Sequence, residues 1–211
     1  MYTLHFASTA NGFKVLIMLE ALGVPFQLQR VNLSQGEQHR PDFARLTPFQ
    51  KIPVLVEHQQ SLVLPESGAI LQYLAETHGR FLPSSGPERY QVLQWLAWQI
   101  SSLGPMAGQW HHFMHRTDDA DVYAKERYLK ETTRLFHIVE DALAGRDFIC
   151  SAYSIADMAI YPWLRIHKLL EIDLHDLPRE RGYLSRLGAR EEVVTAYMKG
   201  SGEFSNRDGR W

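Results

Sequence analysis

The first part of the chain contains both strand-like and helix-like patterns of apolar and polar residues. Weak alternation of apolar and polar residues in YTLHF (2–6) predicts a short strand, and Pro25 with the run FQLQRV (26–31) predicts a second one. Between them, apolar residues recur at helical spacing from Phe13 to Leu22, and Gly23 is typical of a helix end. A strand, a helix and a strand within about 30 residues predict a βαβ unit with parallel strands.

A hairpin is predicted in the segment KIPVLVEHQQSLVLPES, residues 51–67. Its two apolar runs, 52–56 and 62–64, lie on either side of a polar turn. Apolar residues then recur at helical spacing over 67–76. The next segment, 80–88, is rich in Pro, Gly and Ser and indicates a domain boundary.

Beyond this boundary the pattern is helical, and no strand pattern follows up to residue 197. Helices are predicted over residues 88–112, 121–143, 155–170, 177–187 and 191–198. The sequence therefore predicts an α/β domain over residues 1–80 and an all-α domain over residues 87–200.

Charge and composition narrow the possible functions. The 211 residues have a formal net charge of −2 and include one cysteine, Cys150. Without a basic patch, we expect no nucleic-acid partner. No apolar stretch approaches the roughly 20 residues of a membrane helix, and the first residues do not resemble a secretory leader, so we expect no membrane association. A single cysteine cannot form an internal disulfide, and a cytoplasmic location is expected.

Pro53 stands at the start of the third strand, where a proline cannot donate to the sheet ladder. Two interpretations remain open from the residues. The Ile52-Pro53 bond is trans at an ordinary strand edge, or it is cis and turns the Ile52 backbone toward an extended ligand. The dipeptide alone favours the trans form.

Glu66 and Ser67 follow Pro65, and one of them is expected at the N-cap of the next helix. A helix N-terminus has unpaired N–H groups and a partial positive charge, so it can bind a carboxylate. Ser67 could hold that carboxylate while Glu66 holds a neighbouring ammonium group. A plain N-cap is the alternative, and the motif alone favours it.

The loop ASTANG, residues 7–12, follows the first strand, where α/β domains collect ligands. Ser8, Thr9 and Asn11 could donate hydrogen bonds to a thiolate, which the adjoining helix N-terminus would also favour. The alternative is a loop that only caps the helix.

As a set, these motifs resemble the cytosolic glutathione transferase superfamily over nearly the whole chain. KIPVL and LPESGAILQYLAE resemble its first domain, and YSIADMAIYPW its second. The segments STANGFKV, GEQHRPDFARLTPFQKIP, LGPMAGQWHHF and YAKERY resemble the bacterial Nu-class, disulfide-reductase-like members. The resemblance implies an α/β thioredoxin-like N-terminal domain, an all-α C-terminal helical bundle and a cis Pro53.

The same resemblance assigns roles to site residues. Thr9 and Asn11 would face the glutathione sulfur as catalytic residues, with Ser8 as the competitor to Thr9. Tyr2 does not align with the catalytic hydroxyl of the tyrosine-type enzymes. Because the loop contains no cysteine, glutathione itself would supply the reacting sulfur.

The remaining implied contacts bind the rest of glutathione. Gln38 would contact the glycyl end, and Ile52, beside Pro53, would pair with the cysteinyl backbone. Glu66 and Ser67 would hold the γ-glutamyl end. Arg127, in YAKERY, would reach glutathione from the partner subunit of a homodimer.

The resemblance thus implies a glutathione-dependent transferase with disulfide reductase or peroxidase activity. Glutathione would be the co-substrate, no metal would be needed, and the second substrate would be a small disulfide, peroxide or electrophile. A non-catalytic binding or interaction module with the same fold is the alternative.

Three further features are interpreted as structural. Ser154 and Asp157 have the spacing of a capping box at the start of a buried helix. His111 and His115 have no third ligand nearby in the sequence, so a polar pocket wall or an interface is favoured over a metal pair. Cys150 follows two apolar residues and is expected to be a buried small hydrophobe.

Overall fold

The structure, a computed structural model, describes residues 1–114 and 122–201. The chain divides into two compact units. The first contains residues 1–82 together with the described residues from Ala189 onward, and the second contains residues 83–188.

A mixed four-stranded sheet forms the centre of the first unit. Its strands are β1 (Tyr2–Phe6), β2 (Phe26–Arg30), β3 (Val54–Glu57) and β4 (Leu62–Pro65), in the order β2-β1-β3-β4. Strand β2 is parallel to β1, whereas β3 is antiparallel to both β1 and β4. The predicted βαβ unit and hairpin are therefore confirmed.

Three helices of the first unit belong to the segment that precedes residue 83. They are α1 (Ala10–Leu22), α2 (Pro41–Leu46) and α3 (Ser67–His78), and two 3-10 turns, Leu33–Gln35 and Glu37–His39, precede α2. Helix α1 begins at Ala10, three residues before the predicted start at Phe13, because Thr9 caps it. The apolar pattern did not reveal this first turn.

A further helix, which we number α9 (Glu191–Gly200), also belongs to the first unit. It packs on α1, where the Tyr197 ring stacks on Phe13 with centroids 4.0 Å apart. Arg30 donates hydrogen bonds to the carbonyl oxygens of Lys199 and Gly200. The expected 87–200 domain included this helix, but in the structure its packing on α1, through Tyr197 and Phe13, places it in the first unit.

The second unit consists of helices over its described residues. They are α4 (Pro87–Trp98), α5 (Gly104–Met114), α6 (Val122–Ala142), α7 (Ile155–Arg165) and α8 (Pro178–Gly188). A π-helical turn, Gln99–Leu103, joins α4 to α5 within the predicted 88–112 helix. Together with the sheet domain, this confirms the predicted fold class. Within the described ranges, no helix is both long and apolar enough to span a membrane.

The predicted capping box of α7 is confirmed. Ser154 Oγ accepts from Ala156 N–H, and Asp157 Oδ2 accepts from Ser154 N–H at 2.9 Å. The other Asp157 oxygen accepts from Ile149 N–H at 2.9 Å and from the Tyr183 hydroxyl at 3.1 Å. The buried carboxylate thus joins three segments of the second unit.

Candidate functional site

Strand register brings three of the predicted segments to one edge of the sheet. His5, near the end of β1, pairs with Val54 at the start of β3, which pairs with Pro65 at the end of β4. The loop after β1, the Ile52-Pro53 pair and the Glu66-Ser67 pair therefore leave the sheet at the same edge. The sequence predicts each segment, but only the register makes them neighbours.

Thr9 is the N-cap of α1 at this edge. Its backbone is extended, and its hydroxyl oxygen accepts a hydrogen bond from Gly12 N–H at 3.1 Å. A hydroxyl that accepts in this way keeps its own proton for another acceptor. Gly12 allows the close turn, since a Cβ there would lie 2.3 Å from the Ala7 carbonyl oxygen. Ser8 and Asn11 are half-buried in the same loop and first helical turn.

The Ile52-Pro53 peptide bond is cis, as the family resemblance implies. Pro53 is buried, and the half-buried Ile52 side chain packs against a small cluster of Val31, Phe43 and Val54. No described residue forms a hydrogen bond with the backbone of Ile52. Its N–H and C=O can therefore pair with an extended ligand.

Glu66 and Ser67 depart from a plain helix cap. Glu66 is the N-cap residue of α3, with φ 72° and ψ 110°, and its side chain makes no capping hydrogen bond. This positive φ is uncommon for a residue with a Cβ, and such conformations cost on the order of 1–3 kcal/mol. The Glu66 side chain is exposed, whereas Ser67 is buried as the first helical residue.

Lys14, which sequence reasoning did not single out, contacts one of the candidate site residues. It lies on α1 with 2% of its surface exposed, and its Nζ donates to Ser67 Oγ at 3.3 Å. Burial lowers the pKa of Lys14 to about 7, and the negative charge of Glu66 opposes that shift. The available signal was a lone charged residue in the otherwise apolar stretch from Phe13 to Leu19.

Gln38 is connected to the loop before Ile52. Its amide nitrogen lies 3.3 Å from His39 Nε2, and His39 Nδ1 lies 2.7 Å from Gln50 Oε1. Because Gln50 Oε1 can only accept, His39 donates from Nδ1 and accepts at Nε2. Gln38 Oε1 is buried and has no hydrogen-bond partner among the described residues, so it remains able to accept.

A family model for the glutathione S-transferase N-terminal domain matches residues 1–76. Among curated proteins, the disulfide-bond oxidoreductase YfcG of Escherichia coli K12 is 42% identical over 205 residues, which cover 94% of this chain and 95% of YfcG. The chain belongs to the glutathione S-transferase family. The predicted family is therefore confirmed.

Two solved glutathione transferases have the same fold. One from Pseudomonas putida, with one glutathione disulfide bound per subunit, has a TM-score of 0.86 and 33% identity and covers 95% of this chain and 92% of its own. One from Pseudomonas fluorescens Pf-5, with two glutathione molecules bound, has a TM-score of 0.85 and 33% identity. The match covers 92% of this chain and 91% of the Pseudomonas fluorescens chain.

Two side chains of this glutathione transferase are unsuited to the sulfur chemistry. Tyr2 is buried at the opposite end of β1, and its hydroxyl lies 3.0 Å from His78 Nε2. Cys150 is buried in the second unit, and burial raises the pKa of its thiol to about 11. Since Cys150 is the only cysteine, the protein offers no thiolate of its own near neutral pH.

The remaining predicted residues lie in the second unit. Arg127 is an exposed residue of α6 and lines an open cavity of about 630 Å³ together with Tyr123 and Lys130. Its role at a partner subunit's glutathione stays a prediction. His115 lies outside the described residues, so the His111 and His115 pair also stays a prediction.

Proposed function

We propose that the protein is a glutathione-dependent disulfide oxidoreductase that uses glutathione as its nucleophile. The observation that carries this proposal is the meeting of the Thr9 loop, the Ile52-Pro53 pair and the Glu66-Ser67 pair at one edge of the sheet. Each segment presents a group suited to a different part of a γ-glutamyl tripeptide. The similarity to YfcG, whose name describes a disulfide-bond oxidoreductase, supports the reaction type.

Glutathione would bind along this edge in an extended conformation. Ile52 would form backbone hydrogen bonds with the cysteinyl residue, and Gln38 Oε1 would accept from the glycyl N–H. At the other end, Ser67 and the first N–H groups of α3 would bind the γ-glutamyl carboxylate, and Glu66 would pair with its ammonium group. The site thus offers a partial positive charge to the ligand's carboxylate and a negative charge to its neighbouring ammonium group.

The sulfur would then lie at Thr9, Asn11 and the N-terminus of α1. The Thr9 hydroxyl would donate its unused proton to the thiolate, and the helix end would add a partial positive charge. Lowering a thiol pKa from about 8.5 to near 7 requires roughly 2 kcal/mol. A hydrogen bond to a charged group supplies about 1.5–3 kcal/mol, so these contacts are sufficient.

The reaction would proceed by thiol–disulfide exchange. The glutathione thiolate attacks one sulfur of a small disulfide, so a mixed disulfide forms and the other sulfur leaves as a thiolate. A second glutathione thiolate then attacks the mixed disulfide, which yields glutathione disulfide and a second thiolate. Two glutathiones are oxidised and one disulfide is reduced. Solved relatives with glutathione disulfide or two glutathiones bound support this stoichiometry.

Arg127 would complete the site from the partner subunit of a homodimer, and we propose a cytoplasmic location. A reducing compartment supplies the glutathione that this reaction consumes, and the single buried cysteine is consistent with it.

The test is a glutathione-dependent rate assay with bis(2-hydroxyethyl) disulfide, in which glutathione disulfide formation is followed through glutathione reductase. We expect turnover of the disulfide and calorimetric binding of glutathione. A peroxide and an aryl halide serve as competing second substrates. Turnover of only the aryl halide would make the protein a general transferase, and binding without any turnover would make it a non-catalytic module.

A further inference from the structure

Lys14 is a buried cation that none of the roles above requires. It has 2% of its surface exposed, and its Nζ donates to Ser67 Oγ at 3.3 Å. Withdrawing an amine from water is unfavourable, and a methionine would fill the same space without that penalty. A functional advantage at Ser67 would explain why a charged side chain occupies the interior of α1.

We propose, on the basis of the function proposed above, that Lys14 is a positioning residue for the γ-glutamyl carboxylate of glutathione. Its ammonium group orients and polarises the Ser67 hydroxyl and adds a positive charge behind the N-terminus of α3. Lys14 thus acts on the ligand through Ser67.

Hydrogen-bond direction supports this role. In its charged form Lys14 can only donate, so Ser67 Oγ is then the acceptor of the bond between them. The Ser67 hydroxyl proton is then left to donate to a further acceptor. Ser67 is not the N-cap of α3, since Glu66 occupies that position, so the helix does not use this hydroxyl as a cap. Donation by a polarised hydroxyl to a carboxylate is strengthened by the chain of bonds behind it.

The charge of Lys14 would respond to the ligand. Burial places its pKa at about 7, and Glu66 is the neighbouring charge that raises it. A carboxylate held at Ser67 adds a second negative charge, so the pKa of Lys14 must be higher in the complex than in the free protein. Between these two pKa values the complex holds more protons than the free protein, and affinity for the carboxylate falls as pH rises.

Several other charged groups on the elements around α1 have partners of their own among the described residues. Helices α3 and α9 pack on α1, and the Glu66 carboxylate raises the pKa of Lys14 against the larger effect of burial. The described pairs on these helices are Glu20 with Lys199, Arg190 with Glu192, and Glu76 with Gln72. Tyr73, His78, Tyr197 and Glu191 are the remaining titratable groups of α3 and α9.

The test measures binding of S-methylglutathione, which has no ionisable thiol, by calorimetry from about pH 6 to about pH 9. This range begins below the pKa of about 7 that burial gives Lys14 in the free protein. For the unaltered protein we expect affinity to fall with rising pH, by up to about tenfold per pH unit, with proton uptake on binding. Buffers of different ionisation enthalpy reveal that uptake without any variant.

Two variants separate the charge of Lys14 from its volume. We expect Lys14→Met to bind about tenfold more weakly at the acidic end of the range and to match the unaltered protein at the alkaline end. Lys14→Arg retains a permanent charge, so its affinity should stay nearly constant with pH. The α-amino group of the probe titrates equally in all three proteins and cancels in their ratio.

The outcomes distinguish this inference from the proposed function. An affinity and pH profile of Lys14→Met that match the unaltered protein would overturn the role of Lys14, as would binding of the unaltered protein without proton uptake near neutral pH. If the unaltered protein does not bind S-methylglutathione at any pH, the proposed assignment of the glutathione site is wrong. A large loss in the melting temperature of Lys14→Met leaves the proton-uptake measurement to decide.

Discussion

The Thr9 hydroxyl accepts a hydrogen bond from Gly12 N–H at 3.1 Å, so it caps α1 while its own proton remains available to the sulfur of a ligand. Replacement of Thr9 therefore removes two separable interactions. Loss of an N-cap costs about 1 kcal/mol of stability, whereas loss of a hydrogen bond to a thiolate affects the bound ligand only.

Thr9→Val is expected to raise the pKa of the bound glutathione thiol by about one to two units, because a donor worth about 1.5–3 kcal/mol is lost. Thr9→Ser retains the hydroxyl and is the matched control. The thiolate absorbance of bound glutathione, followed against pH, measures the change. An unchanged thiol pKa in Thr9→Val, with a raised pKa in Ser8→Ala, would assign the contact to Ser8. Asn11→Ala should also raise the thiol pKa.

Ser67→Ala should weaken glutathione binding more than it weakens the fold. Because Ser67 is not the N-cap of α3, removal of its hydroxyl affects the fold only through the lost hydrogen bond from Lys14 Nζ. We expect an affinity loss of about tenfold, the effect of one hydrogen bond to a charged group. Calorimetry with glutathione and thermal unfolding of the same samples give the two quantities. Proportionate losses in both would favour a purely structural serine.

Arg127→Ala should reduce affinity for glutathione without lowering the melting temperature, since Arg127 is exposed on α6. Arg181, an exposed cation on α8 that does not line the cavity around Arg127, provides the matched control. We expect Arg181→Ala to bind glutathione as the unaltered protein does. Equal affinities for both variants would remove Arg127 from the site.

Asp157 should be among the residues most important for stability in the second unit. Its carboxylate accepts from two buried backbone N–H groups and from the Tyr183 hydroxyl. Asp157→Ala leaves these donors unpaired and should cost about 3 kcal/mol or more of the free energy of unfolding. Tyr183→Phe and Ser154→Ala each remove one partner and should cost about 1 kcal/mol. Denaturant unfolding of all three variants gives the comparison.

Glu180 should make stability fall as the pH rises from 4.5 to about 9. It is fully buried, neither carboxyl oxygen has a hydrogen-bond partner among the described residues, and burial, with a further contribution from Glu140, raises its pKa from 4.5 to about 9. The unfolded chain releases this proton first as pH rises, so between these values the unfolded state holds fewer protons than the folded state. The free energy of unfolding then falls with rising pH, by up to about 1.4 kcal/mol per unit.

Glu180→Gln removes this titration, so its melting temperature should exceed that of the unaltered protein by a margin that grows with pH. Glu140→Gln is the contrasting variant, because the Glu140 carboxylate accepts from Arg179 N–H at 3.0 Å and Glu180 N–H at 2.9 Å at the start of α8. That variant should be destabilised even where Glu180 is protonated. Parallel curves of melting temperature against pH for Glu180→Gln and the unaltered protein would contradict the assignment.

The elements and several site groups followed from local patterns. Alternation predicts β1, a short run after Pro25 predicts β2, and helical spacing predicts α1 and α3. The spacing of Ser154 and Asp157 predicts the capping box. Such features depend on residues within a few positions of each other, so the sequence carries them directly. The cis state of Pro53 followed only from the family resemblance, since the dipeptide by itself favours trans.

By itself, then, the sequence determined the fold class, the family and the segments that hold the candidate site. Only the tertiary structure decided which residues meet: strand register brought Thr9, Ile52 and Ser67 to one edge, helix packing placed Lys14 behind Ser67, and α9 joined the first unit. The physical reason is that burial and long-range hydrogen bonds depend on partners far apart in the chain. From sequence alone, a lysine in a helix is expected to be exposed to solvent. Only the packed structure shows which neighbours exclude water from it.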